Sequence, residues 1–314
     1  MKKNLACALI LVVTGCGGGD TAGTDAGDGD GDGDGDGDAG GDDWQILIEG
    51  DWQLDGLEEG YYCVYATVPR DLYVKAFRPM IPDGTHHTVL TLFDGATPAD
   101  GTYPCNAGTN GQNMIYGSGV GSPDFHFPDG VGLHLQEGQR LLLNLHLYNA
   151  GDAPLTGTSG SLFLEATAAE IENEAEMVLA GPTFTLTVPT GVTTQQGSCQ
   201  ISSIASEPIQ IFSLSQHMHK LGRHMKSVIT RGSDEIVLQD IDYDFENQTF
   251  QLVDPHVELL TGDVLTTYCT YENTPETNPP SGAPVTFGDS SDDEMCFTDL
   301  FYYPAQGASY ICSF

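Results

Sequence analysis

The sequence predicts an all-β protein built as two tandem antiparallel β-sandwich domains, and three observations carry that reading. Strand-length apolar runs such as Leu141–Tyr148 and Ile209–Met218 alternate with clusters of Pro, Gly, Asp and Asn. Only 18% of the 314 residues are charged, and Lys and Arg number 10 against 45 Asp and Glu. Helices laced with Glu–Lys pairs are therefore not expected. Six cysteines of the folded part divide two before residue 170 and four after 190, as two domains with internal disulfides would have them. The same charge balance, formally −35, excludes electrostatic binding to nucleic acid or to anionic lipid, since both need a basic footprint.

Residues 1–16 read as an address. Lys2, Lys3 and Asn4 precede a 9-residue apolar run, Leu5–Val13, closed by Thr14, Gly15 and Cys16. That is the order of a bacterial lipoprotein signal, with cleavage before Cys16 and lipidation of its thiol. An ordinary secretory signal with an incidental Cys is the alternative; the run is too short to span a bilayer. Either way the chain is expected in an oxidising compartment, where eight cysteines are at home. The expected location is outside the cytoplasm, lipid-anchored to a bacterial membrane at the periplasmic face, outer membrane or cell surface.

Residues 17–43 hold 12 Gly and 10 Asp. Nothing there can build a core and like charges repel, so a disordered spacer is expected. A calcium-binding repeat is the weaker alternative, because no regular apolar position is available to pack a β-helix turn. Beyond the spacer, 8 basic and 35 acidic residues leave the folded part at −27.

The first domain is expected over 44–170. On the strand Leu141–Tyr148, side chains alternate faces, so Leu143, Leu145 and Leu147 enter the apolar layer while Asn144, His146 and Tyr148 point away. His86 and His87 are adjacent and would diverge on a regular strand. Both can serve one metal only where a bend or bulge re-aims one ring, and Pro82-Asp83-Gly84 makes such a bend available. Ala166–Ala180, rich in Ala and Glu, is the one helix-like stretch and could equally be the connection between domains.

The second domain is expected over 171–314, with short strands such as Phe184–Val188 and Asp263–Tyr268. In Ile211–His219, alternation places Ile211, Ser213, Ser215, His217 and His219 on one face and Phe212, Leu214 and Met218 on the other. Two imidazoles at i and i+2 on a polar strand face can grip one metal ion. His126, His134, His224 and His256 show no usable pattern and are read as solvent-facing or structural. Met295, between the polar loop 288–294 and Cys296, reads by itself as core packing.

Taken in order, these pieces resemble the ascorbate-dependent type II copper monooxygenases, the family of peptidylglycine α-hydroxylating monooxygenase and dopamine β-monooxygenase. The resemblance rests on Tyr61-Tyr62-Cys63, Thr85-His86-His87, Asn144-Leu145-His146, Ile211 to Gly222 (IFSLSQHMHKLG), Cys269-Thr270-Tyr271, and Glu294-Met295-Cys296 ahead of Tyr302-Tyr303-Pro304. It implies jelly-roll-like domains with a copper cleft between them and two copper ions per chain. His86, His87 and His146 would bind one ion, and His217, His219 and Met295 the other. A thioether favours Cu(I), and three ligands leave a position open. The Met295 centre would bind O₂ and hydroxylate a C–H bond of a small-molecule substrate. The all-His centre would take electrons from ascorbate or another one-electron reductant.

The resemblance also implies disulfides Cys63–Cys105, Cys199–Cys312 and Cys269–Cys296, each worth roughly 3.5–5 kcal/mol on the chain-entropy model. In the peptide-hydroxylating branch, an Arg and polar residues hold a substrate carboxylate; here Ser215, Phe297 and Asp299 stand in those places. A C-terminal carboxylate would find no cation, so glycine-extended peptides fit poorly, whereas Asp299 could pair with an amine. A monomer is expected, with membrane contact through the lipid anchor alone. Two other classes use the same residues differently: a copper-binding lipoprotein without turnover, and a surface β-sandwich binding module.

Overall fold

A computed structural model describes residues 43–111, 113–183, 185–245, 247–307 and 311–312. The expected signal with Cys16, residues 17–42 of the spacer, and Phe184 of the expected strand Phe184–Val188 lie outside the described residues.

Among the described residues the only helical element is a single 3-10 turn, Ile201–Ser203; the rest is strand and connection. Two sheets come from residues 45–174. One runs in the order Gln45–Leu54, Leu155–Ala166, Leu72–Met80, Val131–Leu135, Asn173–Glu174, with Phe125–His126 pairing Leu72–Met80. The other runs Gly101–Pro104, Glu59–Thr67, Arg140–Tyr148, Thr85–Phe93, Asn113–Gly119. Side chains from both enter one buried cluster, with Trp52 and Phe77 from the first and Leu90, Leu143, Leu145 and Leu147 from the second. The alternation expected of Leu141–Tyr148 holds here. Asn144 and His146 belong to the opposite face, as does Leu142, which packs with Cys63 and Tyr65 in a separate small cluster.

Residues 176–312 supply the other sheets. Gln251–Leu259, Ile209–Met218, Cys296–Tyr303, Glu176–Ala180 and Ile311–Cys312 form one, and Gly191–Gln200, Val264–Asn273, Gly222–Arg231 and Asp234–Asp242 another. Thr187–Val188 and Val285–Thr286 pair separately. Pairing between these strands is antiparallel except where Asn173–Glu174 lies along Val131 and Gly132, and Ile311–Cys312 along Leu179 and Ala180. Cys63 is bonded to Cys105, Cys199 to Cys312 and Cys269 to Cys296, the pairs that the resemblance implies.

The two sets of sheets share core. Phe212 and Phe301, together with Met177, join the cluster built by the first set. Phe301 meets Phe125 at 4.9 Å between ring centroids and Phe127 at 5.7 Å, and Phe212 meets Phe127 at 5.8 Å. Aromatic contacts at these spacings add to the burial of area that dominates the stability of such a seam.

Two local expectations need correction. Ala166–Ala180 is not helical: after Ala166 ends its strand, Glu170 accepts bonds from the Thr167 N–H and hydroxyl, closing a turn. The chain then extends through Asn173–Glu174 and Glu176–Ala180. Partners on both sides outweigh the modest helix propensity of Ala and Glu. The face assignment along Ile211–His219 also changes, because the register of Ile209–Met218 shifts between Ile211 and Ser213 on both flanking strands. The bulge sends Ile211 inward with Leu214, while Phe212 turns to the shared aromatic cluster. Ser215 and His217 keep their common face.

Candidate metal centres

The first cluster is made by a turn and a slip in register. Gly84, at φ 95°, sits where a Cβ would strike the Trp52 ring, and Thr85 donates its N–H to the Pro82 carbonyl at 3.0 Å. Only Gly meets both demands cheaply. Between Thr85 and His87 the pairing with Arg140–Tyr148 shifts, leaving His86 as the extra residue and setting His87 opposite His146. The bulge brings together two rings that a regular strand would hold apart. His86 Nδ1 and His87 Nδ1 are 2.9 Å apart, and His87 Nδ1 and His146 Nδ1 3.3 Å. One ligand atom from each of the three side chains fits within 4.8 Å of the others.

The surroundings decide which nitrogen of His146 faces inward. Its Nε2–H donates to the Glu59 carboxylate at 2.6 Å, which leaves the Nδ1 lone pair directed at His87. Tyr61 lies flat on the same ring, with centroids 4.5 Å apart and planes at 3°; burial and the Glu59 charge push its phenol up to about 12. Burial holds His87 well below the usual imidazole range and lowers His146 against the pull of Glu59. Three imidazoles converging within reach of one point are a cation site in chemical terms, since the neutral form favoured by burial at His87 and His146 offers a lone pair without first losing a proton.

The second group presents the other nitrogen. His217 Nδ1–H donates to Gln248 Oε1 at 2.7 Å, and His219 Nδ1–H to the Asp293 carbonyl at 3.1 Å. With Nδ1 donating, Nε2 is the acceptor nitrogen of each ring, and the rings lie 5.3 Å apart and perpendicular. Burial lowers both groups, His219 to about 3. Met295 is registered beside them through its neighbours: Cys296 opposes Met218, and Tyr271 donates its hydroxyl to the Met295 carbonyl at 2.7 Å. His217 and His219 also contribute to the depression of His87, so the two groups lie within electrostatic reach. Phe245 stands against the first, 5.4 Å from the His86 ring.

Residues 173–313 match the model of the copper type II ascorbate-dependent monooxygenase C-terminal domain. Residues 173–313 belong to that copper monooxygenase family. Among its curated relatives, mouse DBH-like monooxygenase protein 1 is 31% identical over 212 residues, covering 62% of this chain and 33% of that protein. Human putative DBH-like monooxygenase protein 2 is 26% identical over 213 residues, 63% and 42% of the two chains. Rat dopamine beta-hydroxylase is 24% identical over 277 residues, 79% and 44%. The chain spans less than half the length of these relatives.

The copper and ascorbate dependence of the monooxygenase family fits the donors present: imidazole suits copper in both oxidation states, and a thioether suits Cu(I). Beside the second group, Ser215 donates its hydroxyl to Asp299 Oδ2 at 3.1 Å. Asp299 is buried, its Oδ1 has no partner among the described residues, and burial pushes the carboxyl up to about 7. Phe297, across the strand from His217, is buried as well. The four remaining histidines stand outside both groups: His126 is edge-on to Trp44, His134 stacks on Tyr73, His224 pairs with Asp240, and His256 bonds the Tyr303 hydroxyl.

Sequence reasoning missed the acceptors that orient the rings. Glu59 stands two residues before Tyr61 and shares its strand face, a signal that was present. Gln248 and the Asp293 carbonyl come from distant connections and leave no local trace. Glu294 stands inside a quoted motif, yet its role emerges only in three dimensions.

Proposed function

We propose that the chain is a two-copper monooxygenase that hydroxylates a C–H bond of a small organic substrate with O₂ and a one-electron reductant such as ascorbate. The convergence of His86, His87 and His146 Nδ1 atoms, within electrostatic reach of the Nε2-presenting pair His217 and His219, is the observation that carries this reading. In it, His86, His87 and His146 hold one copper, and His217, His219 and Met295 the other. Bound copper supplies the one-electron chemistry that dioxygen requires.

The chain's own residues do the positioning. Glu59 fixes the His146 tautomer, and Gln248 and the Asp293 carbonyl fix those of His217 and His219, so that each ring offers one defined lone pair. The all-His centre receives electrons and the Met295 centre faces substrate. Asp299 and Ser215, buried next to that centre, offer no cation to a substrate carboxylate, so a buried anion there would stand unpaired. A neutral or cationic substrate suits the site. In this proposal the sheets of 44–170 and 171–314 act as two tandem sandwich domains around the site, and the chain works as a monomer, exported and lipid-anchored through Cys16.

The test is reconstitution. Metal-free protein reloaded with copper should bind two ions per chain and consume O₂ with ascorbate when offered a panel of neutral amides and phenethylamines. Two bound coppers without substrate-dependent O₂ uptake would instead identify a copper-binding lipoprotein. No tight copper binding would leave only a surface binding module.

A further inference from the structure

We infer that Glu294 is the positioning residue of the second centre, the side chain that fixes the distance between His219 and Met295. The inference rests on the copper reading above and adds to it a residue with a stated task. His219 and Met295 lie 76 residues apart in sequence; the strand pairing stops one residue short of each, at Met218 opposite Cys296, and among the described residues no disulfide joins them. The fully buried Glu294 makes the connection. Its Oε2 accepts the His219 N–H at 3.0 Å, and its Oε1 accepts the Leu221 N–H at 2.7 Å. The Met295 N–H is a third donor to the same carboxylate.

His219 is thus held at both ends by the two residues that precede Met295. Its backbone is bound by the Glu294 side chain, and its ring Nδ1–H by the Asp293 carbonyl. Glu294 is itself fixed from the other side, donating its N–H to Thr286 at 3.1 Å and accepting the Gly288 N–H at 3.3 Å. A carboxylate suits the task because both of its oxygens accept. Gln would turn an amide N–H toward one of the two backbone donors, and Asp is one methylene too short to keep both. Outer groups that orient metal ligands commonly change affinity 10–100-fold when altered.

The experiment is an anaerobic Cu(I) titration of the full chain against the chelator bicinchoninate, with X-ray absorption of the loaded protein. Wild type should take up two ions and show a copper–sulfur signal. E294Q should bind one of the two ions at least tenfold more weakly and lose much of the sulfur signal, while the other ion is held as in wild type. E294D, which keeps the charge, should do the same and guards against misfolding of the first variant; thermal melts of both metal-free proteins check the fold. If folded E294Q or E294D binds both ions with wild-type affinity and full sulfur signal, the inference is wrong and the copper reading stands. If wild type itself shows no copper–sulfur signal, Met295 is not a ligand, and both fall together.

Discussion

The two histidine groups solve one problem in opposite ways. The first gathers three imidazoles through their Nδ1 atoms, and a bulge at His86 plus one carboxylate, Glu59, suffices to aim them. The second exposes Nε2 atoms and spends each Nδ1–H on a protein acceptor, Gln248 for His217 and the Asp293 carbonyl for His219. Side chains packed around one strand pair are placed by the sheet. Side chains gathered from a strand end and a distant loop depend on groups that bridge the gap. The difference teaches where each group is vulnerable: the first should depend most on the bulge at His86 and on Glu59, the second on hydrogen bonds reaching in from distant segments.

The largest effects should come from deleting one ligand on either side. H146A should lower copper stoichiometry from two to one by emptying the first centre, and M295I should do so by emptying the second; metal analysis after dialysis against a chelator separates them. If either variant loses both ions, the centres are not independent and the contrast fails.

Next in size are the orienting groups. E59Q keeps a hydrogen-bond acceptor but removes the charge, and should weaken the first centre about 10-fold or more without touching the second. Q248A should weaken the second by a similar or smaller factor. Chelator competition reads both, and equal losses at the two centres in either variant would erase the distinction.

The smallest effect is on stability. Native Asp299 binds its proton more tightly than the unfolded chain does, with a folded value near 7 against an ordinary 3.8. Its burial therefore costs nothing well below pH 3.8 and little at pH 4, costs progressively more as pH rises toward 7, and reaches its full cost above that. D299N should melt with metal-free wild type at pH 4 and above it at pH 8, by roughly 5–10 °C. Melting curves that differ equally at both pH values would show that the carboxyl is not what titrates.

How far the sequence could be read depended on the range of the interactions. Leu143, Leu145 and Leu147 could be assigned inward because alternation along a strand is local, and the pairing of His86 with His87 required a bulge that the Pro82-Asp83-Gly84 turn then made possible. The faces of Ile211 and Phe212 could not be read, because the bulge beside them follows from register against two neighbouring strands. Ala166–Ala180 looked helical by composition and was drawn straight by edges on either side. The acceptors Gln248 and Asp293 escaped for the same reason: what matters is what they meet, not what flanks them.

The aromatic seam has a practical consequence for anyone dissecting the gene. A truncation that keeps only the family-matched segment, residues 173–313, would strip Phe125 and Phe127 from Phe212 and Phe301 and bare a greasy patch prone to clumping. Expression trials of that fragment would then report on insolubility rather than on copper. The piece worth making begins near residue 43 and carries both halves of the seam.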